Sequence, residues 1–268
     1  MPVSRHGSDR SELLAFAEDP QAYVSLGPHE ERIDTGRALV TFTPGEHVWS
    51  THVARVRMDA GHVRGAVKEV RRLMRRRGRS AAAWSLGPSA TPGDVVDQLL
   101  GVGLTAESDE GSIILVMTAP PSERSGGFEI RAVSSFDDHL ASLDVTARGF
   151  GFSPEDAEDE RRRARATFDA ERSGGHTARL LALDGDRAVS TGRAWFTPLG
   201  VYLGGGATLP TERRRGAMSA LVAAAWDEAV GRDTPALVTH AGAMAGPALL
   251  RLGFRPVGRI THLIDTGG

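Results

Sequence analysis

Apolar positions follow two rhythms along this chain and switch between them often. From Ala217 to Val230 the residues Met218, Leu221, Val222, Ala225 and Ala229 recur at helical spacing, and Gly231, with Pro235 just beyond, stops the run. Thr177 to Leu183, Arg187 to Phe196 and Val201 to Thr208 read instead as strands, the first two joined by the turn Asp184-Gly185-Asp186. Phe128 to Val133 is a short strand ahead of them, and Phe136 to Gly149 and Pro154 to Arg172 are helical. Ala236 to His240 is a short buried strand, Met244 to Leu252 a helix closed by Gly253, and Phe254 to Ile264 extended. The predicted order after Phe128 is β-α-α-β-β-β-α-β-α-β.

The first half repeats the end of this pattern. Arg64-Gly65-Ala66-Val67 opens a helix and Ala81 to Ser85 is a strand. Thr91-Pro92-Gly93-Asp94 starts another helix, with Thr91 as the N-cap and Pro92 at its first position. Gly103 follows Gly65 by 38 positions and Gly253 follows Gly216 by 37, the spacing of either an internal duplication or two converged α/β units. Between the halves, Ala119 to Gly127 is rich in proline, serine and glycine and reads as a linker, which divides the chain into residues 1–121 and 128–268.

Composition narrows the function classes. A chain of 268 residues has room for two cores, and no stretch approaches the roughly 18 apolar residues of a membrane span. The N-terminal residues do not lead into an apolar signal core, so a cytoplasmic protein without a membrane partner is expected. Cysteine is absent, which excludes disulfides, thiolate ligands and cysteine nucleophiles, and no metal is expected. Arginine clusters lie at Arg71 to Arg79 and Arg161 to Arg165, but the second follows the acidic run Glu155 to Glu160 and the net charge is −2. Solvated helix faces explain both clusters better than nucleic-acid contact does.

One segment carries chemistry. In Leu203-Gly204-Gly205-Gly206-Ala207-Thr208-Leu209-Pro210-Thr211-Glu212-Arg213-Arg214-Arg215-Gly216-Ala217-Met218 an apolar strand runs through an arginine-rich turn into a helix. The free N–H groups and positive dipole end of that helix face the turn, and Gly216 has no Cβ to keep an anion away. Such a turn suits a phosphate. Its first-half counterpart, Asp59 to Arg64, lacks the three arginines and the glycine-rich strand, so the anion site is expected in the second half alone.

With these residues the second half resembles the GNAT superfamily of acyl-CoA-dependent N-acyltransferases. Arg213-Arg214-Arg215-Gly216-Ala217-Met218 matches the pyrophosphate loop Arg/Gln-x-x-Gly-x-Gly/Ala except at Met218, and Leu249-Leu250-Arg251-Leu252-Gly253-Phe254 matches the end of a second motif in outline. The resemblance implies an α/β fold, a GNAT-like mixed β-sheet flanked by helices in two tandem copies, the first degenerate. It implies acetyl-CoA as acyl donor, with its pyrophosphate on Arg213, Arg214, Arg215, Gly216, Ala217 and Met218 and its pantetheine amides paired to Thr208 and Leu209. The acceptor is then the amine of a small molecule or peptide. The oligomeric state stays open between monomer and homodimer.

Departures from the pattern matter equally. The tyrosine that protonates the departing thiolate in many such enzymes falls at Leu249, and the strand Val201 to Thr208 has no carboxylate to serve as base. His240, at the end of its strand, and Tyr202 are the candidates for base and acid, each set against an ordinary structural role. His176 and His262 carry less weight. A non-catalytic acyl-CoA sensor on the same fold is the alternative.

Overall fold

The computed structural model describes residues 10–108, 110–123 and 127–267, so residues 124–126 of the predicted linker and the N-terminal residues 1–9 lie outside the described residues. The first half runs α1 (Arg10–Glu18), β1 (Glu31–Asp34), β2 (Leu39–Phe42), β3 (Thr51–Ala54), α2 (Val63–Arg76), β4 (Ala82–Leu86), α3 (Val95–Gly101), β5 (Thr105–Ala106) and β6 (Ser112–Met117). The second runs β7 (Glu129–Ala132), α4 (Phe136–Phe150), α5 (Pro154–Gly174), β8 (Thr177–Asp184), β9 (Arg187–Thr197), β10 (Gly200–Thr208), α6 (Ala217–Gly231), β11 (Leu237–Ala241), α7 (Gly246–Arg251) and β12 (Arg255–Asp265), the order predicted. No helix among the described residues is long and apolar enough to cross a membrane.

Local chemistry sets most of these boundaries. Ser135 and Ser153 accept the N–H groups of Asp138 and Asp156 and so cap α4 and α5, which end at left-handed Gly151 and Gly175. Helix α2 buries Val63, Ala66, Val67, Val70, Leu73 and Met74, an apolar stripe at spacings of three and four. One expected cap fails. Helix α3 starts at Val95 behind Asp94, and Thr91 instead takes the Met58 N–H on its hydroxyl at 2.9 Å and gives its own N–H to Val56 at 3.0 Å. A strand-like bond to a distant residue outcompetes the local cap there.

The strands form one sheet in the order β1-β2-β3-β4-β12-β6-β11-β10-β9-β8-β7, with β5 on β12. Setting aside the edge strand β7, this order is a palindrome about the β12–β6 pair. Each arm has one parallel pair, β3–β4 and β10–β11, flanked by antiparallel ones. The repeat seen in the glycine spacing is therefore a repeat in space, with its last strands exchanged. Strand β6, from the first half, pairs with β11, while β12, from the second, pairs with β4.

The exchange joins the cores. Leu263 of β12 is buried among Trp84, Val67 and Leu99 of the first half, and Leu115 and Met117 of β6 among Val201, Trp226 and Leu249 of the second. Helix α1 crosses the middle, where Phe16 and Ala17 pack on Ile114, Val116, Val238 and Ile260. Helix α6 covers the opposite face through Val222 and Trp226.

Candidate active site

Strands β10 and β11 stay together for only three residues each. They pair at Val201 with Leu237, Tyr202 with Val238 and Leu203 with Thr239. Beyond Leu203, β10 continues to Thr208 along β9 alone, while β11 carries His240 and Ala241 along β6. A bulge between Gly204 and Ala207, with Gly205 at φ 61°, bends β10 at the parting. One edge of β10 is thus left without a strand partner among the described residues.

That edge leads into the arginine turn. Leu209 is buried, its N–H bonds Val189 at 2.9 Å and its carbonyl takes the Glu212 N–H at 2.9 Å, so its backbone closes the turn. Thr208 Oγ1 meets Ser190 Oγ at 2.7 Å. Arg213 donates to the Gly149 carbonyl at 2.8 Å, tying the turn to the end of α4. Arg215 is held by Asp184 at 2.8 Å and by the buried carboxylate of Glu212. Arg214, in the left-handed region at φ 64°, is exposed and has no hydrogen bond or ion pair among the described residues.

Behind it, Gly216 at φ 93° is the N-cap of α6 and offers no side chain to its first turn. Ala220 is the first to bond back, to the Gly216 carbonyl at 3.0 Å, so the amides of Ala217, Met218 and Ser219 have no intrahelical acceptor. These amides, the Cβ-free approach and the free guanidinium of Arg214 fit a phosphate ester. Met218 has its own compensation: its Cε lies 3.1 Å from where a Cβ on Gly206 would stand. A glycine in the strand makes room for the large residue in the loop.

The other two candidates come together on the far face, where the strands part. The ring of Tyr202 stacks on Trp195 at 5.2 Å and lies 5.9 Å from that of His240. His240 Nε2 is 2.8 Å from the Ala17 carbonyl at the end of α1. A carbonyl only accepts, so Nε2 carries the hydrogen and Nδ1 keeps its lone pair. Burial pushes His240 down to about 4 against the opposing pull of the Ala17 carbonyl, and pushes Tyr202 up to about 12. At neutral pH both are uncharged.

Both residues also line a cavity of about 340 Å³ between the two halves. Its wall carries a continuous hydrogen-bonded chain from four strands: His52 Nε2 to Ser85 Oγ at 2.8 Å, Ser85 Oγ to His262 Nδ1 at 3.1 Å, and His262 Nε2 to Ser112 Oγ at 3.0 Å. Trp49 packs edge-on against His262 at 5.0 Å and donates from Nε1 to Glu107 at 3.0 Å. Burial holds His52 near 3, helped by His262 and His240, and His262 near 4. Sequence reasoning gives His262 little weight and passes over His52, Ser85 and Ser112. They lie on β12, β3, β4 and β6, and no local spacing announces that the exchanged strands bring them together.

Phe150 and Phe152 stack on each other at 6.2 Å on the surface, and neither lines the cavity. Leu249 is buried in the core beneath α6. In the first arm the gap that β10 and β11 leave open is closed, because Thr91 forms a parallel bridge with Arg57 and bonds Val56 and Met58.

No family model matches the sequence, and no curated protein matches it. Solved structures do share its fold over nearly the whole chain. A GCN5-related N-acetyltransferase from Kribbella flavida superposes with a TM-score of 0.68 at 18% identity, covering 98% of this chain and 97% of that one. A functionally unknown conserved protein from Staphylococcus epidermidis gives 0.67 at 15% identity, over 92% of this chain and 97% of that one. A tandem GNAT protein from the clavulanic acid biosynthesis pathway gives 0.62 at 13% identity, over 98% and 97%. The chain has the tandem GNAT fold.

Proposed function

We propose that this protein is an acetyl-CoA-dependent N-acetyltransferase whose single acyl-CoA site lies in the second half. The observation that carries the reading is the parting of β10 from β11 after Leu203, beside an arginine turn that opens α6. Acetyl-CoA would supply an activated acyl group: the amine lone pair forms a C–N bond, the C–S bond breaks, and the thiolate takes a proton.

The residues divide this work by position. Arg214 and the free amides of Ala217, Met218 and Ser219 hold phosphate oxygens, and Arg213 and Arg215 keep the turn in shape. The bare edge of β10 offers backbone groups to an extended amide-bearing arm, Thr208 among them, while Leu209 anchors the turn from the core. The ammonium loses one proton to water, since an amine attacks only when neutral; on the far face Nδ1 of His240, held uncharged by burial, accepts a hydrogen bond from that nitrogen and orients its lone pair. Tyr202 remains a phenol at neutral pH and lies beside the parting strands: a Cβ on Gly204 would lie 3.4 Å from its hydroxyl. It gives the sulfur a proton and regains one from the nitrogen. Holding both reactants in place supplies much of the acceleration.

Thermal unfolding with acetyl-CoA tests the reading. At a hundredfold excess over Kd the ligand adds about 2.7 kcal/mol of stability, a rise of several degrees. Arg214→Glu, an exposed change, should leave the unliganded melting temperature alone and abolish most of that rise. Equal responses from both proteins would remove the support for a phosphate site at this turn.

A further inference from the structure

The cavity between the halves has a chemical character that says what enters it. Its lining includes Glu18, Asp19 and Glu107; Arg57 lies behind the first two, at 3.7 and 3.4 Å, while Glu107 takes the Trp49 indole N–H and has no cation beside it among the described residues. Helix α1 ends at Glu18 on the cavity wall, so the negative end of its dipole contributes there, and its Ala17 carbonyl already holds His240. The wall also presents lone pairs. Nδ1 of His240 is free by the argument above, and Nδ1 of His52 has no hydrogen bond among the described residues. The carboxylate of Glu107, the negative end of the α1 dipole and bare imidazole nitrogens all favour a cation that donates hydrogen bonds.

The hydrogen-bonded chain adds a second property. Each serine has one hydrogen to give, so the chain is satisfied in two ways. Either His52 donates to Ser85, Ser85 to His262 and His262 to Ser112, or every donor and acceptor is reversed. The first arrangement leaves Nδ1 of His52 as an acceptor without a hydrogen bond among the described residues, and the second puts a hydrogen on it. The first converts into the second when His52 Nδ1 takes up a proton, each link passes one on and Ser112 releases its own into the cavity, so this wall offers a lone pair to an ammonium or a hydrogen to a neutral amine.

We infer that this cavity is the acceptor site, that it takes a small cationic amine, and that the first half of the chain supplies the wall that recognises it through His52, Ser85 and Glu107. The inference rests on the acyltransferase reading and deepens it by naming the acceptor class. A volume of about 340 Å³ lies at the lower end of the ~300–1,000 Å³ typical of small-molecule pockets. It holds a compact amine and excludes a folded protein or a long peptide. The first arm has closed its own strand gap at Thr91 and keeps a different role, as half of the second arm's binding site.

The test measures binding to the full-length protein saturated with CoA, by calorimetry, using 1,4-diaminobutane, 2-phenylethylamine, their neutral N-acetyl forms, butyrate and a dipeptide. At least one amine should bind, while its neutral form and the anion should not. Glu107→Arg, an exposed change at the rim, should weaken that amine tenfold or more and leave the CoA isotherm unchanged. Ala54→Phe, which fills the cavity, should abolish amine binding, and Ala54→Val serves if the phenylalanine variant does not fold. Ser85→Ala should weaken the amine and Ser85→Thr should restore it. CoA binding with no amine bound, or amine binding indifferent to Glu107→Arg and the Ala54 variants, overturns the assignment while the acyltransferase reading stands. Absence of CoA binding overturns that reading and this assignment with it.

Discussion

At the scale of single residues, contiguity decides what a sequence discloses. Arg213 to Met218 are adjacent, so their turn is legible from the chain alone, although adjacency does not reveal that Arg215 serves Asp184 and Glu212 while Arg214 is left free. His52, Ser85, His262 and Ser112 meet only through long-range pairing and stay invisible. Their burial has a consequence for stability. His52, His240, His262 and His139 all titrate far below the ordinary 6.5, at about 3 for the first and about 4 for the others, burial being the largest cause in each. For His139 the guanidinium of Arg179 adds to the burial and outweighs the pull of Glu171. Below pH 6.5 the unfolded chain binds protons on these imidazoles that the folded protein refuses, so folding loses free energy as the pH falls. Stability should be level in this respect above pH 6.5, decline between pH 6.5 and about 4, and fall further once carboxylates such as Glu171 are protonated. Urea unfolding at pH 7.5, 6.0 and 5.0 checks the slope. The His52→Gln and His262→Gln variants should each flatten it, and an unchanged slope in both would show that these rings carry their charge without cost.

At the scale of elements, periodicity did most of the work and partner choice did the rest. The order of the second half follows from apolar spacing, Ser caps and glycine stops, all local signals. The start of α3 does not, because Thr91 takes a backbone partner from another segment. The packing of α4 and α5 on the sheet is another nonlocal matter. Glu171 of α5 lies between Arg179 of β8, at 2.8 Å, and Arg193 of β9, with His139 of α4 at 3.8 Å. Burial alone would raise the Glu171 carboxyl, yet the two guanidiniums hold it below the usual range. Arg179 is itself buried, so the carboxylate is what makes its position tolerable. Glu171→Gln should therefore cost about 3–5 kcal/mol, the penalty of leaving buried cations uncompensated. Glu158→Gln, on the exposed side of the same helix, should cost under about 0.5 kcal/mol. Comparable midpoints for the two variants in denaturant would mean that the cluster contributes nothing to folding.

At the scale of the whole molecule, the two-copy organisation was legible in the glycine spacing, but the exchange of last strands was not, since nothing local distinguishes β6 beside β12 from β6 beside β4. The exchange changes what a half is. Without β6, strands β11 and β12 have no strand between them, and the second core loses Leu115 and Met117. Without β12, strand β4 has an open edge and the first core loses Leu263. Each fragment divided at the linker would expose an unpaired edge beside an apolar face, the arrangement most prone to pairing with another chain. The same exchange builds the cavity, because His262 reaches Ser85 only as β12 lies on β4. We therefore expect residues 1–121 and 128–268, produced separately, to aggregate or to form strand-swapped assemblies. Produced together, they should associate into one particle with the melting profile of the intact chain, lowered by the lost connection. Size-exclusion chromatography and thermal unfolding of the three preparations decide the matter: two fragments that are each monomeric and cooperatively folded would mean that neither half depends on the strand it borrows.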